Sequence, residues 1–292
     1  MADRRGDLAR RLLVSSRPLS WINTAYPFAA AYLLTRGELD AAFVIGTVFF
    51  LVPYNVAMYG INDVFDYASD VANPRKGGAQ GALLEPNIHR ATLVAAGALC
   101  VPFVIALVAL GSPASWLVLA VSLFAVAAYS VPGLRFKEVP LLDSVTSSTH
   151  FVSPAVYGLV LAGATFTPGL VILLLSFFLW GLASHAFGAV QDVVPDRQGG
   201  IASIATVLGA KTTVRLALVL WTIAGLLLLL ADFPAPLAVV LVVPYIALAW
   251  PYRSVADVDS AQANRGWRRF LAVNYVAGFF VTMLLIAWVL IR

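Results

Sequence analysis

Residues 62–70, "NDVFDYASD", place three aspartates and one asparagine at the end of an apolar run. The preceding residues 44–61, "VIGTVFFLVPYNVAMYGI", contain no charged side chain. Asn62, Asp66 and Asp70 are spaced i, i+4, i+8, so a helix that continues through them carries all three on one face. Like charges one helical turn apart repel each other, and the low dielectric near a membrane increases that cost. The stretch therefore predicts a membrane helix that ends in a cation-binding site.

The composition of the whole chain agrees with this interpretation. The 292 residues are 61% hydrophobic and 12% charged, whereas soluble domains are about 45–50% apolar and about 25% charged. A soluble fold is therefore excluded, and the net charge of +4 is no argument for a nucleic-acid partner. The single cysteine, Cys100, excludes an intrachain disulfide.

Apolar segments of membrane-spanning length recur along the chain. A spanning helix needs about 20 mostly apolar residues. The predicted fold is all-α, a polytopic membrane bundle of nine transmembrane helices with cytoplasmic cap loops and helices. It forms a single domain over residues 1–292, in which residues 1–16 are a basic, cytoplasmic, interfacial segment. The predicted spans are 18–35, 42–61, 91–111, 114–131, 141–163, 168–190, 212–231, 234–252 and 270–290.

The basic residues give an orientation to these spans. With the N-terminus in the cytoplasm, every Lys and Arg except Arg36 and Arg292 falls on the cytoplasmic side. Cytoplasmic loops of membrane proteins carry such an excess of positive charge. The prediction is a multi-pass protein of the cell membrane, in contact with lipids, with its C-terminus outside and its acidic stretches on the cytoplasmic face.

A second acidic pair ends the sixth predicted span. Residues 187–200 read "FGAVQDVVPDRQGG", in which Asp192 and Asp196 are again i, i+4. Carboxylates at helix C-termini are disfavoured by the helix dipole, which argues against a purely solvating role. Mg²⁺ binds a few carboxylates and takes its remaining ligands from phosphates and water. Two such clusters predict a Mg²⁺–diphosphate site, and the cytoplasmic segments 73–78, 129–138 and 203–211 offer cations and hydroxyls to its phosphate oxygens.

These motifs resemble those of the UbiA superfamily of intramembrane prenyltransferases. "NDVFDYASD" and "DVVPD" are similar to its two aspartate-rich motifs, and "YSVPGLRFK" and "SIATVLGAK" to its loop motifs. The resemblance covers nearly the whole chain. Within the superfamily, "SSRPLSWINTAYPF" (15–28) and "VTSSTHF" (145–151) are most similar to the lycopene elongases of actinobacteria.

The resemblance implies an enzyme that moves a dimethylallyl group from dimethylallyl diphosphate to lycopene, in the synthesis of fifty-carbon carotenoids. Mg²⁺ is the implied cofactor. Its implied ligands are Asn62, Asp66, Asp70, Asp192 and Asp196. The implied diphosphate-binding residues are Arg17, Lys76, Tyr129, Ser130, Arg135, Lys137 and Lys211.

The chemistry also calls for a group that disposes of a proton. Ionisation of the allylic diphosphate leaves a cation, and attack by an alkene leaves a second cation that must be quenched. His150 and His185 both lie inside predicted spans, where an ionisable residue is a functional candidate. The alternative for each is a helix–helix hydrogen bond. His150 is counted with Asp66, Asp192 and Asp196 as a candidate catalytic residue.

Two other functions compete with this prediction. A transporter also carries acids in proline-broken spans, but transporters place them near the bilayer midplane rather than at helix ends. A related enzyme with an aromatic acceptor, such as a hydroxybenzoate, needs a buried cation for the carboxylate. The second to sixth predicted spans contain no Arg or Lys.

Overall fold

The computed structural model describes residues 2–72 and 83–291, and within these residues it contains helices and no β-strand. The fold class is therefore all-α, as predicted. Short 3₁₀ turns interrupt the helices at five places. The α-helices are α1 Ala2–Ser15, α2 Ile22–Arg36, α3 Ala41–Leu51, α4 Pro53–Phe65, α5 Tyr67–Ala72, α6 Pro86–Leu110, α7 Pro113–Ser130, α8 Leu142–Leu161, α9 Pro168–Val190, α10 Val193–Gln198, α11 Ile204–Leu208, α12 Ala210–Leu228, α13 Val243–Ala249 and α14 Asn264–Leu290.

Within the described residues, 7 helical segments are long and apolar enough to cross a membrane. The two other predicted spans coincide with α2 and α8. Helix α2 has only 15 residues, and α8 begins with Asp143 and a run of hydroxyl side chains that lowers its hydropathy. The segments are Ala41–Phe65, Pro86–Leu110, Pro113–Ser130, Pro168–Val190, Ala210–Leu228, Ala235–Tyr252 and Asp257–Leu290.

The second predicted span is broken in its middle. Helix α3 ends at Leu51 and α4 begins at Pro53, which lacks the N–H that a continuous helix needs. The carbonyl of Phe50 that this break releases accepts hydrogen bonds from Thr24 Oγ1 at 2.7 Å and Asn55 Nδ2 at 2.8 Å. Side chains thus replace the missing backbone bond, which is how proline-broken membrane helices are tolerated.

The chain divides into two compact units, each with its own core. The first unit contains residues 1–136 and 150–164, and the second contains 137–149 and 165–292. Helix α8 contributes its beginning to the second unit and its remainder to the first. The prediction of one domain over residues 1–292 stays a prediction.

The first unit is organised around packed aromatic rings. Phe50 lies at its centre, with ring centroids 5.3 Å from Phe28, 4.9 Å from Phe49, 5.1 Å from Tyr54 and 5.8 Å from Tyr157. All five rings are fully buried. This core joins α2, α3, the beginning of α4 and the later part of α8.

The second unit has an aromatic core of its own. Trp221 of α12 is buried and stacks on Tyr245 of α13, at a centroid distance of 5.7 Å. Phe187 of α9 lies 5.9 Å from the Trp221 ring, and Phe270 of α14 lies 5.4 Å from the Tyr245 ring. Because Phe187 lies less than one turn before the end of α9, this core fixes the helix end that precedes the second acidic motif.

Candidate active site

The first acidic motif spans the junction of α4 and α5. Asp66 is the C-cap of α4, and its N–H donates to the carbonyl of Asn62 at 2.9 Å. The N–H of Asp70 donates to the carbonyl of Asp66 at 2.8 Å. The helical bonding pattern therefore continues through the junction, so Asn62, Asp66 and Asp70 follow one another at intervals of one turn.

Asp66 and Asp70 are withdrawn from solvent, Asn62 is half-buried, and a cation borders Asp66. Asp66 is 5% exposed and Asp70 is 6% exposed. Ser130 Oγ donates to Asn62 Oδ1 at 3.1 Å, and an Arg135 amino nitrogen lies 3.9 Å from Asp66 Oδ1. Two of the predicted diphosphate-binding residues, Ser130 and Arg135, thus lie beside predicted metal ligands.

Asp63 has a different environment from its neighbours in the motif. It is 1% exposed; its Oδ2 accepts a hydrogen bond from Ser15 Oγ at 2.8 Å, and its Oδ1 accepts one from Arg17 at 2.9 Å. The Arg17 guanidinium also lies 4.2 Å from the centre of the Tyr59 ring, which gives a cation–π contact. Asp63 therefore attaches the end of α1 to α4.

Arg17, a predicted diphosphate-binding residue, thus uses one of its amino nitrogens to bind Asp63. Its Nε is buried and makes no hydrogen bond to any residue that the structure describes. Arg17 and Arg135 both have left-handed backbones, with φ of 53° and 43°. Such conformations cost about 1–3 kcal/mol in non-glycine residues and are concentrated at functional sites. Arg17 and Arg135, which contact acids of the first motif, both carry this strain.

The second acidic motif lies where α9 gives way to α10. Helix α9 ends at Val190, and Asp192 is the N-cap of α10. The N–H of Asp196 donates to the carbonyl of Asp192 at 2.9 Å, so the two acids again lie one turn apart. Both side chains are half-buried.

An arginine next to this motif holds the surrounding loops together. Arg197 donates to the carbonyl of Thr206 from Nε at 3.0 Å and from an amino nitrogen at 2.7 Å. Its other amino nitrogen lies 2.6 Å from Asp257 Oδ2, and Asp257 Oδ1 accepts the N–H of Ala210 at 2.7 Å. We call Arg197 and Asp257 the clamp. The sequence prediction missed both residues, although the position of Arg197 directly after Asp196 was an available signal.

The other predicted site residues have varied surroundings. The ring of Tyr129 meets the ring of His150 edge to face, with centroids 5.4 Å apart. Lys137 is half-buried in a 3₁₀ turn, and Lys211 is exposed in the first turn of α12. Lys76 lies outside the described residues.

The donor atoms suit a hard divalent cation. Within residues 2–72 and 83–291, no group of three or more His, Cys, Asp and Glu side chains is assembled to hold a metal ion. The side-chain donors of Asn62, Asp66 and Asp70 are amide and carboxylate oxygens, and buried carboxylates require positive charge nearby. Mg²⁺ matches such a set because it commonly completes its coordination with water and phosphate oxygens.

The family of the chain follows from a family model. The model of the UbiA prenyltransferase family matches residues 24–281. The chain therefore belongs to the UbiA prenyltransferase family, and it is a multi-pass membrane prenyltransferase.

Two similar proteins from bacteria act in carotenoid synthesis according to their names. A lycopene elongase/hydratase of Corynebacterium glutamicum is 50% identical over 278 residues, which cover 95% of this chain and 97% of that protein. The C(50) β-cyclic carotenoids biosynthesis protein LbtBC of a Dietzia strain is 54% identical over 285 residues. That match covers 97% of this chain, and the chain spans 66% of the Dietzia protein's length.

Solved structures share the fold. A UbiA homolog from Archaeoglobus fulgidus has been determined with GPP and Mg²⁺ and with DMAPP and Mg²⁺, and these structures match with TM-scores of 0.65 and 0.64. The alignments cover 91% of this chain, and 99% and 98% of those chains, at 18% identity.

Proposed function

We propose that this enzyme transfers a dimethylallyl group from dimethylallyl diphosphate to lycopene in a Mg²⁺-dependent reaction. The observation that carries the proposal is the series of half-buried Asn62 and buried Asp66 and Asp70, with Ser130 and Arg135 beside it. Identity of at least 50% to carotenoid-pathway proteins supports lycopene as the acceptor.

The acidic residues would hold the metal. Asn62, Asp66 and Asp70 would supply ligands from the first motif, and Asp192 and Asp196 from the second. Mg²⁺, when bound, would neutralise charge that develops on the departing diphosphate.

The basic residues would bind and orient the diphosphate. Arg135 already lies beside Asp66, and Arg17 has a buried Nε that is still available as a donor. A guanidinium can bind phosphate oxygens through two parallel hydrogen bonds, which fixes orientation as well as charge. Tyr129, Ser130, Lys137 and Lys211 complete the proposed set, together with Lys76 from outside the described residues.

The acceptor should be uncharged. The predicted spans 42–61 to 168–190 contain no Arg or Lys that could neutralise a carboxylate. Moving an ionised carboxylate into an apolar bundle without a partner costs several kcal/mol. A lycopene end carries no charge and reaches the enzyme through the lipid, so it avoids that cost.

The proposal includes a topology of nine spans with the N-terminus and the active site on the cytoplasmic side. It can be tested with single cysteines in a Cys100→Ala background. A cysteine at Ser112 or Thr165 should react with an impermeant thiol reagent from outside, and one at Gln198 only from the cytoplasm. The reverse pattern would contradict the orientation, and Ser112 and Thr165 reacting from opposite sides would contradict the number of spans.

The proposed function can be tested by measuring the product of the purified enzyme. The purified enzyme is incubated with Mg²⁺, dimethylallyl diphosphate and lycopene, and the product mass is measured. A parallel reaction contains 4-hydroxybenzoate instead of lycopene. We expect prenylated lycopene and no prenylated hydroxybenzoate. Efficient prenylation of the aromatic acid would overturn the carotenoid assignment.

A further inference from the structure

A histidine and a buried aspartate meet inside the second unit. The beginning of α8 packs closely on α9 at Gly181, where any Cβ would collide with Ser148 Oγ. At the same place Ser148 Oγ donates to the carbonyl of Phe178 at 2.7 Å. This close approach brings Asp143, near the start of α8, to His185, one turn after Gly181. Asp143 Oδ2 lies 3.8 Å from His185 Nε2.

Asp143 is fixed in place by the backbone. Its side chain is 1% exposed. Its Oδ1 accepts the N–H of Ser144 at 2.6 Å, and its Oδ2 accepts the N–H of Ile204 at 2.8 Å. A carboxylate held in this way orients a neighbouring imidazole and stabilises the imidazolium that forms when the ring takes a proton. The separation of 3.8 Å is longer than a hydrogen bond, and such pairs often tighten only when substrate is bound.

His185 is accessible although its neighbours on α9 are buried. Its side chain is 18% exposed, whereas Ser184 and Ala186 are buried. Ionisable groups in membrane helices face the protein interior or a polar cavity rather than lipid. His185 precedes Asp192 by seven residues, and Gln191 between them keeps a right-handed helical backbone. Seven residues correspond to about two helical turns, so Asp192 follows His185 at about 10 Å along the direction of α9.

The proposed reaction releases one proton that needs an acceptor. The diphosphate leaves with the electron pair of its C–O bond, and the π electrons of the lycopene end form the new C–C bond. The remaining positive charge is discharged in one of two ways. A neighbouring C–H bond supplies its electron pair for a new C=C bond, or a water molecule adds and then loses a proton. Both routes deliver a single proton.

We infer that His185 accepts this proton and that Asp143 is the positioning residue that stabilises the resulting imidazolium. The inference rests on the proposed function and names the base of that reaction. The proton then passes from the imidazolium to water, which restores the neutral ring for the next turnover.

The test is chemical rescue of the full-length enzyme. His185→Gly removes the ring and leaves space for free imidazole. General bases contribute about 100-fold to 10,000-fold to rate, so we expect lycopene prenylation to fall at least about 100-fold and to recover at least about 10-fold when imidazole is added. Ser184→Gly is the matched control, because it places the same helix-weakening residue one position away. It should keep near-normal activity and show no response to imidazole.

Two further variants complete the test. His150→Gly distinguishes His185 from His150 as the proton acceptor, and Asp143→Asn tests the orienting role of Asp143. Rescue of His150→Gly, with none of His185→Gly, would assign the proton to the other histidine and overturn the inference. Asp143→Asn should slow the enzyme about 10-fold, as expected for a residue that orients another. It should have no further effect in the His185→Gly background without imidazole, because the ring that it orients is absent there.

The outcomes distinguish the inference from the function on which it rests. An active wild-type enzyme with a His185→Gly variant that keeps full activity, or loses it without rescue, would overturn only the role of His185. A wild-type enzyme that releases diphosphate but never prenylates lycopene would overturn both.

Discussion

The two acidic motifs share a spacing of four residues but have different surroundings. In the first, Asp66 and Asp70 are almost fully buried, and Arg135 lies 3.9 Å from Asp66. In the second, Asp192 and Asp196 are half-buried, and the residue that follows them, Arg197, binds a backbone carbonyl and Asp257 instead.

The difference shows two ways of fixing carboxylates that repel each other. Burial fixes the first pair, because side chains packed in a core have few alternative rotamers. Near the second pair, Arg197 binds the carbonyl of Thr206 and Asp257, and these bonds hold the loops around the half-buried acids. We therefore expect both motifs to be needed for activity. We expect substitutions around the first motif to change protein stability and substitutions around the second to change the Mg²⁺ concentration that activity requires.

The largest expected effect is the loss of either acid pair. Asp66→Ala and Asp192→Ala should each lower turnover by at least about 100-fold, because each removes a proposed ligand of the Mg²⁺ that would neutralise the departing diphosphate. Turnover is measured as prenylated lycopene at saturating Mg²⁺, with detergent melting temperature as the check on folding. Glu38→Gln, at an exposed position before α3, is the control. Near-normal turnover of either alanine variant in EDTA would refute the metal assignment for both motifs.

Substituting either residue of the clamp should have a smaller effect, which is confined to the Mg²⁺ concentration that activity requires. Arg197→Gln or Asp257→Asn should raise the Mg²⁺ concentration for half-maximal activity by about 10-fold to 100-fold, as loss of outer ligand support does. The measurement is a Mg²⁺ titration of initial rate. Arg253→Gln removes an exposed arginine whose guanidinium bonds the carbonyl of Trp250, and it should leave the titration unchanged. If Arg197→Gln lowered the rate at every Mg²⁺ concentration without shifting the midpoint, the clamp would have no role in metal binding.

Asp63 should behave as a structural acid although it lies between the proposed metal ligands Asn62 and Asp66. Asp63→Ala leaves Arg17 without its buried partner and removes the link from α1 to α4, which should destabilise the protein by about 3–5 kcal/mol. The midpoint of the Mg²⁺ titration should stay at the wild-type value. Melting temperature and Mg²⁺ titration are compared in one preparation. A shift in midpoint without a loss of stability would place Asp63 among the metal ligands.

The smallest expected effect concerns an acid outside both motifs. Asp40 caps α3 by accepting the N–H of Phe43 at 2.9 Å, and it accepts the hydroxyl of Tyr32 at 2.7 Å. The backbone hydrogen bond from Phe43, followed by the bond from Tyr32, lowers the pKa of the Asp40 carboxyl.

Because the folded pKa is lowered, the stabilisation is present above the unfolded pKa of about 3.9 and is lost as the pH falls through the folded value. Asp40→Asn should therefore be less stable than wild type near neutral pH by under about 1 kcal/mol. The difference should shrink as the pH falls below about 4. Melting temperatures of the two proteins over this pH range check the sign. A difference in melting temperature that widened as the pH fell would contradict this sign.

Much of the fold could be predicted from apolar length and charge. The predicted span 168–190 coincides with α9, and 114–131 differs from α7 by one residue at each end. The break between α3 and α4 was less predictable. Pro53 marked its position, but a kinked continuous helix was equally compatible with the sequence until Thr24 and Asn55 were seen bonding the freed carbonyl.

The sequence by itself determined the apolar segments, the absence of Lys and Arg from the second to sixth predicted spans and the two pairs of aspartates four residues apart. These features are local, because helix geometry and transfer from water depend on neighbouring residues along the chain. Tertiary structure alone decided which acids gained partners. Asp63 meets Arg17 across 46 residues, and Arg197 meets Asp257 across 60. Sequence spacing carries no signal for such contacts, because they form only when separate helices pack and bury the charges together.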